Sequence, residues 1–222
     1  MQEIKKSYLN ILLFFQRKKQ NISVKVQNKY NMKKRDLVFY IIGLVLIIIG
    51  LFYDAQISRF FAENRASIIN SVMIFASFLA NWYIWIFIAL ILSLILWKGK
   101  KQFIAPLWLS VIIGQAVVFI LKLIIIRERP YDALGIIGLD IHSDSSFPSG
   151  HAAAVFSILP VIERAFKKTY LIFLLFACLV VLSRIYLGAH YLTDVATGAL
   201  IAYTIGLIVV EYKDKIVFWK KK

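Results

Sequence analysis

The 222 residues leave room for one domain, and a 60% hydrophobic content with a mean hydropathy of +0.75 lies far above that of a soluble globular chain. A formal net charge of +15 would suit a nucleic-acid partner. However, the basic residues fall into four segments that flank apolar runs, where membrane topology and anionic lipid headgroups account for them. Composition thus excludes a soluble domain, argues against nucleic acid, and makes the lipid bilayer the first partner implied.

In chain order, residues 1–36 form a basic extension. Its "EIKKSYLNILLFFQRKK" sets a short apolar run between basic flanks, with no small-residue cleavage site after it. Ile4, Tyr8, Ile11, Leu12 and Phe15 recur at helical spacing, so an interfacial amphipathic helix and a disordered basic tail both stand as readings. The stretch "MKKRDLVFY" at Met32 is itself a plausible translation start, and no function is placed on the residues before it.

Six apolar runs come next: Leu37–Tyr53, Ser71–Trp97, Phe103–Ile126, Ser149–Ile162, Tyr170–Leu182 and Tyr191–Val210. Set against the ~20 residues that cross ~30 Å of hydrocarbon, they predict an all-α integral membrane bundle of six transmembrane helices over residues 37–210. Residues 211–222 are a basic tail. Ser149–Ile162 covers only about 21 Å as a helix, so it is expected to run on to Lys168 or to begin in a wet cleft. Between the first two runs, "DAQISRFFAENRASIIN" puts Ile57, Phe60, Phe61 and Ile68 on one face and predicts a helix lying along the outer surface. Cys178, in mid-span, reads as a small buried apolar residue. Oligomeric state is not legible.

Alternate assignment of the loops places 21 of the 27 basic residues on one side. The positive-inside rule makes that side cytoplasmic, with both termini inside. The other side holds Arg59, Arg65, Lys122, Arg127, Arg129 and Arg184.

Chemistry collects on this outer side in three pieces. In "LKLIIIRERPYD", Lys122 and Arg129 are seven residues apart, about two helical turns, and would share a face if the helix ran on. Each alone is also an ordinary snorkelling or headgroup-facing cation. Arg127 shares no such face and reads as interfacial. In "SSFPSGHAAAVFSI", Pro148 presets a helix start, Ser149 offers a hydroxyl, Gly150 lets its N–H approach a ligand, and His151 stands in the first turn. Free N–H groups and the helix dipole make an anion site there, while a plain N-cap is the alternative. In "SRIYLGAHYLTD", Asp194 follows His190 by one turn, where its carboxylate can accept the imidazole Nδ1–H and leave Nε2 as nucleophile. Arg184 precedes His190 by six residues, and Gly188 turns the chain between them. Topology brings all three pieces to the same side. Three cations, helix N–H groups and two histidines facing one cleft describe phosphoryl transfer.

Lys122-x6-Arg129-Pro130, Pro148-Ser149-Gly150-His151 and Ser183-Arg184-x5-His190-x3-Asp194 together resemble the three-part signature of the type 2 phosphatidic acid phosphatase and vanadium haloperoxidase superfamily, specifically its membrane lipid phosphatase branch. The resemblance covers roughly residues 37–210. It implies that His190 attacks phosphorus to give a phosphohistidine, that Asp194 orients it, and that His151 protonates the leaving oxygen and then activates water. It further implies that Lys122, Arg129 and Arg184, with the Ser149 hydroxyl and the Gly150 N–H, hold the phosphoryl oxygens, and that no metal or other cofactor is needed. The expected substrate is a membrane lipid phosphate or diphosphate, of polyprenyl diphosphate, phosphatidate or phosphatidylglycerol phosphate type, met at the extracytoplasmic face of the cell membrane. A phosphotransferase using the same phosphohistidine is the alternative, and a non-catalytic anionic-lipid binder would not need His151, His190 and Asp194. Asp132, Asp140, His142 and Asp144 match no signature position and are expected to be solvated loop residues.

Overall fold

The computed structural model describes residues 33–216. The chain divides at Ile41 into two compact units. Of the first, only 33–41 are described, the opening turns of one helix; the second, from Ile42 onward, carries the rest of the fold. The amphipathic reading of Ile4–Phe15 lies outside the described residues.

The helices are α1 (Lys34–Glu63), α2 (Ser67–Leu79), α3 (Trp82–Trp97), α4 (Ile104–Ile124, entered through a 3₁₀ turn at Lys101–Phe103), the short α5 (Pro130–Ala133), α6 (Gly150–Ser157), α7 (Leu159–Ala165), α8 (Tyr170–Tyr186), α9 (Leu192–Glu211) and the short α10 (Lys213–Ile216). Among the described residues there is no strand, and the protein is an all-α, multi-pass membrane protein. Three helices are long and apolar enough to cross a bilayer, Lys34–Glu63, Lys101–Ile124 and Leu192–Glu211, with a fourth crossing if the bent pair α2–α3 is one span. Leu51, Phe52, Ile68 and Leu94 are each more than 70% exposed, a surface that suits hydrocarbon rather than water.

The structure departs from four expectations. The segment after Tyr53 is no separate surface helix: nothing between Leu37 and Glu63 stops a helix, and α1 runs unbroken through 30 residues, about 45 Å. Ser71–Trp97 is not one straight rod, because the chain turns at Ala80–Asn81 and α2 and α3 meet at 63°. Of the two readings of the run from Ser149, continuation to Lys168 is not met: its start lines a cavity instead, and the run stops at Ala165 and is interrupted at Ile158. Pro160 opens α7 there, and its missing N–H and ring bulk do not permit a continuous α-helix. Cys178 is exposed rather than buried, on the outward side of α8.

The core is built on α9, which packs chiefly against α6 and then α4. Val118, Ala153 and Ala202, one from each of α4, α6 and α9, form a buried cluster. The small side chains of "HAAAV" let α6 lie close, the usual device where lipid supplies no hydrophobic drive between helices. Gly198 shows how close the two helices come: a Cβ there would stand 2.5 Å from the Ser149 carbonyl oxygen. Gly188, at φ +75°, occupies the left-handed region that the α8–α9 turn requires. α2 packs on α8, around Met73, Tyr186 and Leu187.

Because the atom facing Gly198 is backbone at the start of α6, it cannot swing aside. Gly198→Ala should therefore destabilise the protein by about 1–3 kcal/mol, the cost of overpacking, read as a lowered thermal midpoint in detergent. An unchanged midpoint would show that α6 and α9 are not in this register.

Candidate active site

The C-terminal ends of α4 and α8, the start of α6 and the α8–α9 turn enclose a cavity of about 440 Å³. Lys122, Arg129, Gly150, His151, Arg184 and His190 line it, and Gln115, Val118 and Phe119 continue the wall along α4 towards Ala80 and Asn81 at the α2–α3 break. The cavity has a cationic end bearing His151 and His190 and an apolar flank.

Each charged group reaches the cavity from a different element. Lys122 sits in the last turn of α4. The helix stops at Ile124, so the shared-face argument for Arg129 does not apply: Arg129 is the extended N-cap of α5. It is 3% exposed, donating from Nη1 to the Ala189 carbonyl at 2.8 Å and lying 3.3 Å from His190 Nε2. Arg184, fully buried in the last turn of α8, donates to Asp140 and Ser77. Its carbonyl accepts from the N–H groups of Ala189 and His190 at 3.1 and 3.2 Å, which ties the histidine turn to the arginine.

Ser149 is the N-cap of α6, its Oγ accepting from the Ala152 N–H at 3.4 Å. It is buried just behind the cavity lining, while Gly150 faces the cavity. His151 has a buried Nε2 with no hydrogen-bond partner. Asp194 lies behind His190, Oδ2 3.6 Å from Nδ1, and reaches back in the manner of a capping box to accept the Tyr191 N–H at 2.9 Å. Burial, followed by the charges of Arg184, Arg129 and Lys122, lowers the His190 pKa well below 6.5, so its neutral form dominates at physiological pH.

Asp132 is exposed, as expected, but Asp140 and Asp144 are not solvated bystanders. Asp144 spans two site cations, with Oδ1 2.5 Å from Arg129 and Oδ2 2.9 Å from Lys122. Burial alone would raise its pKa, but the hydrogen bond and charge of Lys122, with Arg129 beside it, lower it to about 2. Asp140 pairs with Arg184 and with His142, 3.1 Å away; these partners overcome burial and hold its carboxyl well below the usual carboxylate range. His142 also lines the cavity, with its ring 5.8 Å from that of His151. Among the described residues, no group of three or more His, Cys, Asp or Glu is placed to hold a metal ion.

Arg127, read as interfacial, is a structural hinge pin. Its Nη1 donates to Asp194 Oδ1 at 2.6 Å and to Thr193 Oγ1 at 2.6 Å. Its Nη2 donates to Asp54 Oδ2 at 2.8 Å, and the guanidinium stacks 4.0 Å over the Tyr191 ring. Asp54 also accepts the Thr193 N–H at 3.1 Å, so α1 is bound to the start of α9. Sequence reasoning missed Arg127 and Asp54. The one available signal was an Asp at the end of a long apolar run, which must find a partner.

The fold and this cleft define a membrane-embedded helical protein with a cationic, histidine-bearing site at its helix ends. Residues 103–218 match the model of the PAP2 superfamily, and the chain belongs to that superfamily of membrane lipid phosphate and diphosphate hydrolases. It is 25% identical over 185 residues to an undecaprenyl-diphosphatase of Sulfolobus acidocaldarius, covering 80% of this chain and 89% of that one. Among solved structures, Aquifex aeolicus LpxE superposes with a TM-score of 0.65 at 27% identity, covering 72% of this chain and 95% of the other. A PAP2-type phosphatidylglycerolphosphate phosphatase of Bacillus subtilis superposes at 0.69 with 24% identity, covering 83% and 98%, and shares the fold.

Arg127→Ala would leave Asp54 and Asp194 facing each other in a poorly solvated space. Breaking such a pairing costs about 3 kcal/mol. The variant should unfold at clearly lower denaturant than the parent, and equal stability would show that water, not Arg127, satisfies these carboxylates.

Proposed function

We propose that the protein hydrolyses a terminal phosphate of a lipid phosphate or diphosphate through a phosphohistidine on His190, at the outer face of the cell membrane. The observation that carries this reading is the joining, in one cavity, of Lys122, Arg129 and Arg184 with His151 and His190 to an apolar wall. A phosphoryl group suits the first part and a lipid chain the second. In the first step His190 Nε2 bonds to phosphorus as the P–O bond to the lipid breaks, and His151, protonated beside the bound phosphate anion, gives its proton to the leaving oxygen. In the second, His151 takes a proton from water, whose oxygen attacks phosphorus and frees His190 and inorganic phosphate. Lys122, Arg129, Arg184, the Gly150 N–H and the Ser149 hydroxyl hold the phosphoryl oxygens. The Ser149 hydroxyl accepts at its cap and so keeps its hydrogen to donate. Entry of the phosphate exchanges the Asp144 carboxylate on Lys122 and Arg129 for phosphoryl oxygens, like for like in charge-assisted hydrogen bonds.

The substrate reading is a polyprenyl diphosphate, supported by the relative from Sulfolobus acidocaldarius; its chain would leave the cavity past Phe119, which is 62% exposed. Six crossings would be reached by adding the 17-residue α8 and the broken α6–α7 pair to the longer helices. Residues 1–36 and 211–222 would then be cytoplasmic extensions of a six-span phosphatase domain.

Purified protein offered a panel of prenyl diphosphates, phosphatidate and phosphatidylglycerol phosphate should release inorganic phosphate without an added acceptor; a need for an acceptor would indicate a transferase. Activity should survive chelators and be blocked by vanadate. His190→Ala should remove turnover and any acid-labile phosphoenzyme, and normal turnover in that variant would end the phosphohistidine reading. Since protonated His190 cannot attack, and burial lowers its pKa, the acid limb of the rate profile should fall below pH 6.5.

Orientation is tested by single cysteines at Asp132→Cys and Lys98→Cys in a Cys178→Ser background. In intact cells a membrane-impermeant thiol reagent should label position 132 and spare position 98. The reverse pattern would move the site to the cytoplasmic face.

A further inference from the structure

We infer that Ser146 is a positioning residue of this reaction: its hydroxyl stands between His190 and Asp194 and transmits the aspartate's hold on the imidazole. The inference rests on the phosphohistidine reading above.

The proton inventory of the histidine comes first. Arg129 Nη1 lies 3.3 Å from His190 Nε2, and a guanidinium has only hydrogens to give. Nε2 is therefore the lone-pair nitrogen, as a nucleophile must be, and Nδ1 carries the hydrogen. The imidazole is 2% exposed, so this N–H needs an acceptor within the protein. Asp194 Oδ2, at 3.6 Å, is too far to be one. Ser146 Oγ is nearer, 3.4 Å from Nδ1.

The serine's own hydrogen is committed elsewhere. Its Oγ donates to Asp194 Oδ2 at 2.5 Å, which turns its lone pairs to the imidazole. The carboxylate is meanwhile filled from other directions, by Arg127 on Oδ1 at 2.6 Å and by the Tyr191 N–H on Oδ2 at 2.9 Å. Ser146 is fully buried, and its N–H donates to the Arg127 carbonyl at 2.9 Å. The hydroxyl is thus anchored by the same residue that anchors the carboxylate. The resulting chain, Nδ1–H to Oγ and O–H to Oδ2, fixes the tautomer. When Nε2 gains the phosphoryl group and the ring becomes cationic, both hydrogen bonds strengthen and no proton leaves.

The test uses the full-length protein in detergent, with farnesyl diphosphate as substrate and vanadate as phosphate analogue. Ser146→Ala should lower kcat by about 10- to 100-fold, the loss of one orienting hydrogen bond, with KM and vanadate inhibition changed by less than about twofold. In the double variant with Asp194→Asn, the rate should match that of Asp194→Asn alone, because the two residues act on one path. The chain has three histidines, so [15N]histidine spectra resolve three rings, and the His190 signals are identified by their loss in His190→Ala. His190 should show the Nδ1–H tautomer in the parent and a mixture in Ser146→Ala.

A parental kcat in Ser146→Ala, multiplying losses in the double variant, or an unchanged tautomer would each overturn the inference. Loss of vanadate binding in Ser146→Ala would assign the serine to the fold and overturn it as well. Should His190→Ala keep its turnover, the phosphohistidine reading fails, and the tautomer spectra still decide whether Ser146 holds His190.

Discussion

Asp194 has no contact with solvent, and an ionised carboxylate so placed must be met by donors on every side or it will not stay charged. Its donors arrive from three parts of the chain: Arg127 from the segment after α4, Ser146 from the loop before α6, and the Tyr191 N–H from its own helix start. Arg127 in turn needs Asp54 of α1. One buried charge thereby holds four elements in register, and His190 takes its place from them. This explains why the site can sit at the ends of helices, where backbone is least regular, and still be stiff.

The cavity poses the converse problem. Lys122, Arg129 and Arg184 bring three positive charges within reach of one another, and with no anion between them their repulsion would open the helix ends. Asp144 on the first two and Asp140 on the third leave one net positive charge from the five groups. The loop between α5 and α6 thus keeps the cations paired at moderate cost. On the proposed reading, a phosphate dianion arriving at Lys122 and Arg129 replaces one carboxylate charge by two, an exchange favoured by charge and by geometry. Asp144 is well suited to leave: its side chain is 55% exposed, so water receives it.

Much of this was legible in the sequence, and the parts that were not have physical reasons. The bounds of α4, α8 and α9 follow the apolar runs closely, because burial in hydrocarbon and helix length are both properties of local composition. The signature residues could be named because their spacing is local, and the structure gathers Lys122, Arg129, Gly150, His151, Arg184 and His190 around one cavity. The breaks at Ala80–Asn81 and Ile158 were lost in runs that composition alone makes continuous, although Pro160 was visible. Arg127 was not assigned because it lies on a non-helical segment, where no periodicity gives it a face. Its partners are 67 and 73 residues away. Asp140 and Asp144 looked solvated because a loop rich in acids normally is; only the fold brings buried cations beneath them.

The same division between local and distant contacts bears on substrate choice. The groups at the cationic end are spent on one another and on their surroundings: Arg129 on the Ala189 carbonyl, the Arg184 guanidinium on Asp140 and Ser77, Gln115 on the Gly150 carbonyl at 3.0 Å. Exchanging any of them disturbs the fold as well as the cleft, so this end has little freedom to vary with the lipid. The apolar flank is different. Val118 is buried in the helix contact, but Phe119 projects outward and Asn81 sits at the bend between α2 and α3. Side chains there can change without moving a charge. On the proposed reading, the phosphoryl chemistry belongs to the rigid end, and the identity of the lipid is read by the few residues between the α2–α3 break and α4.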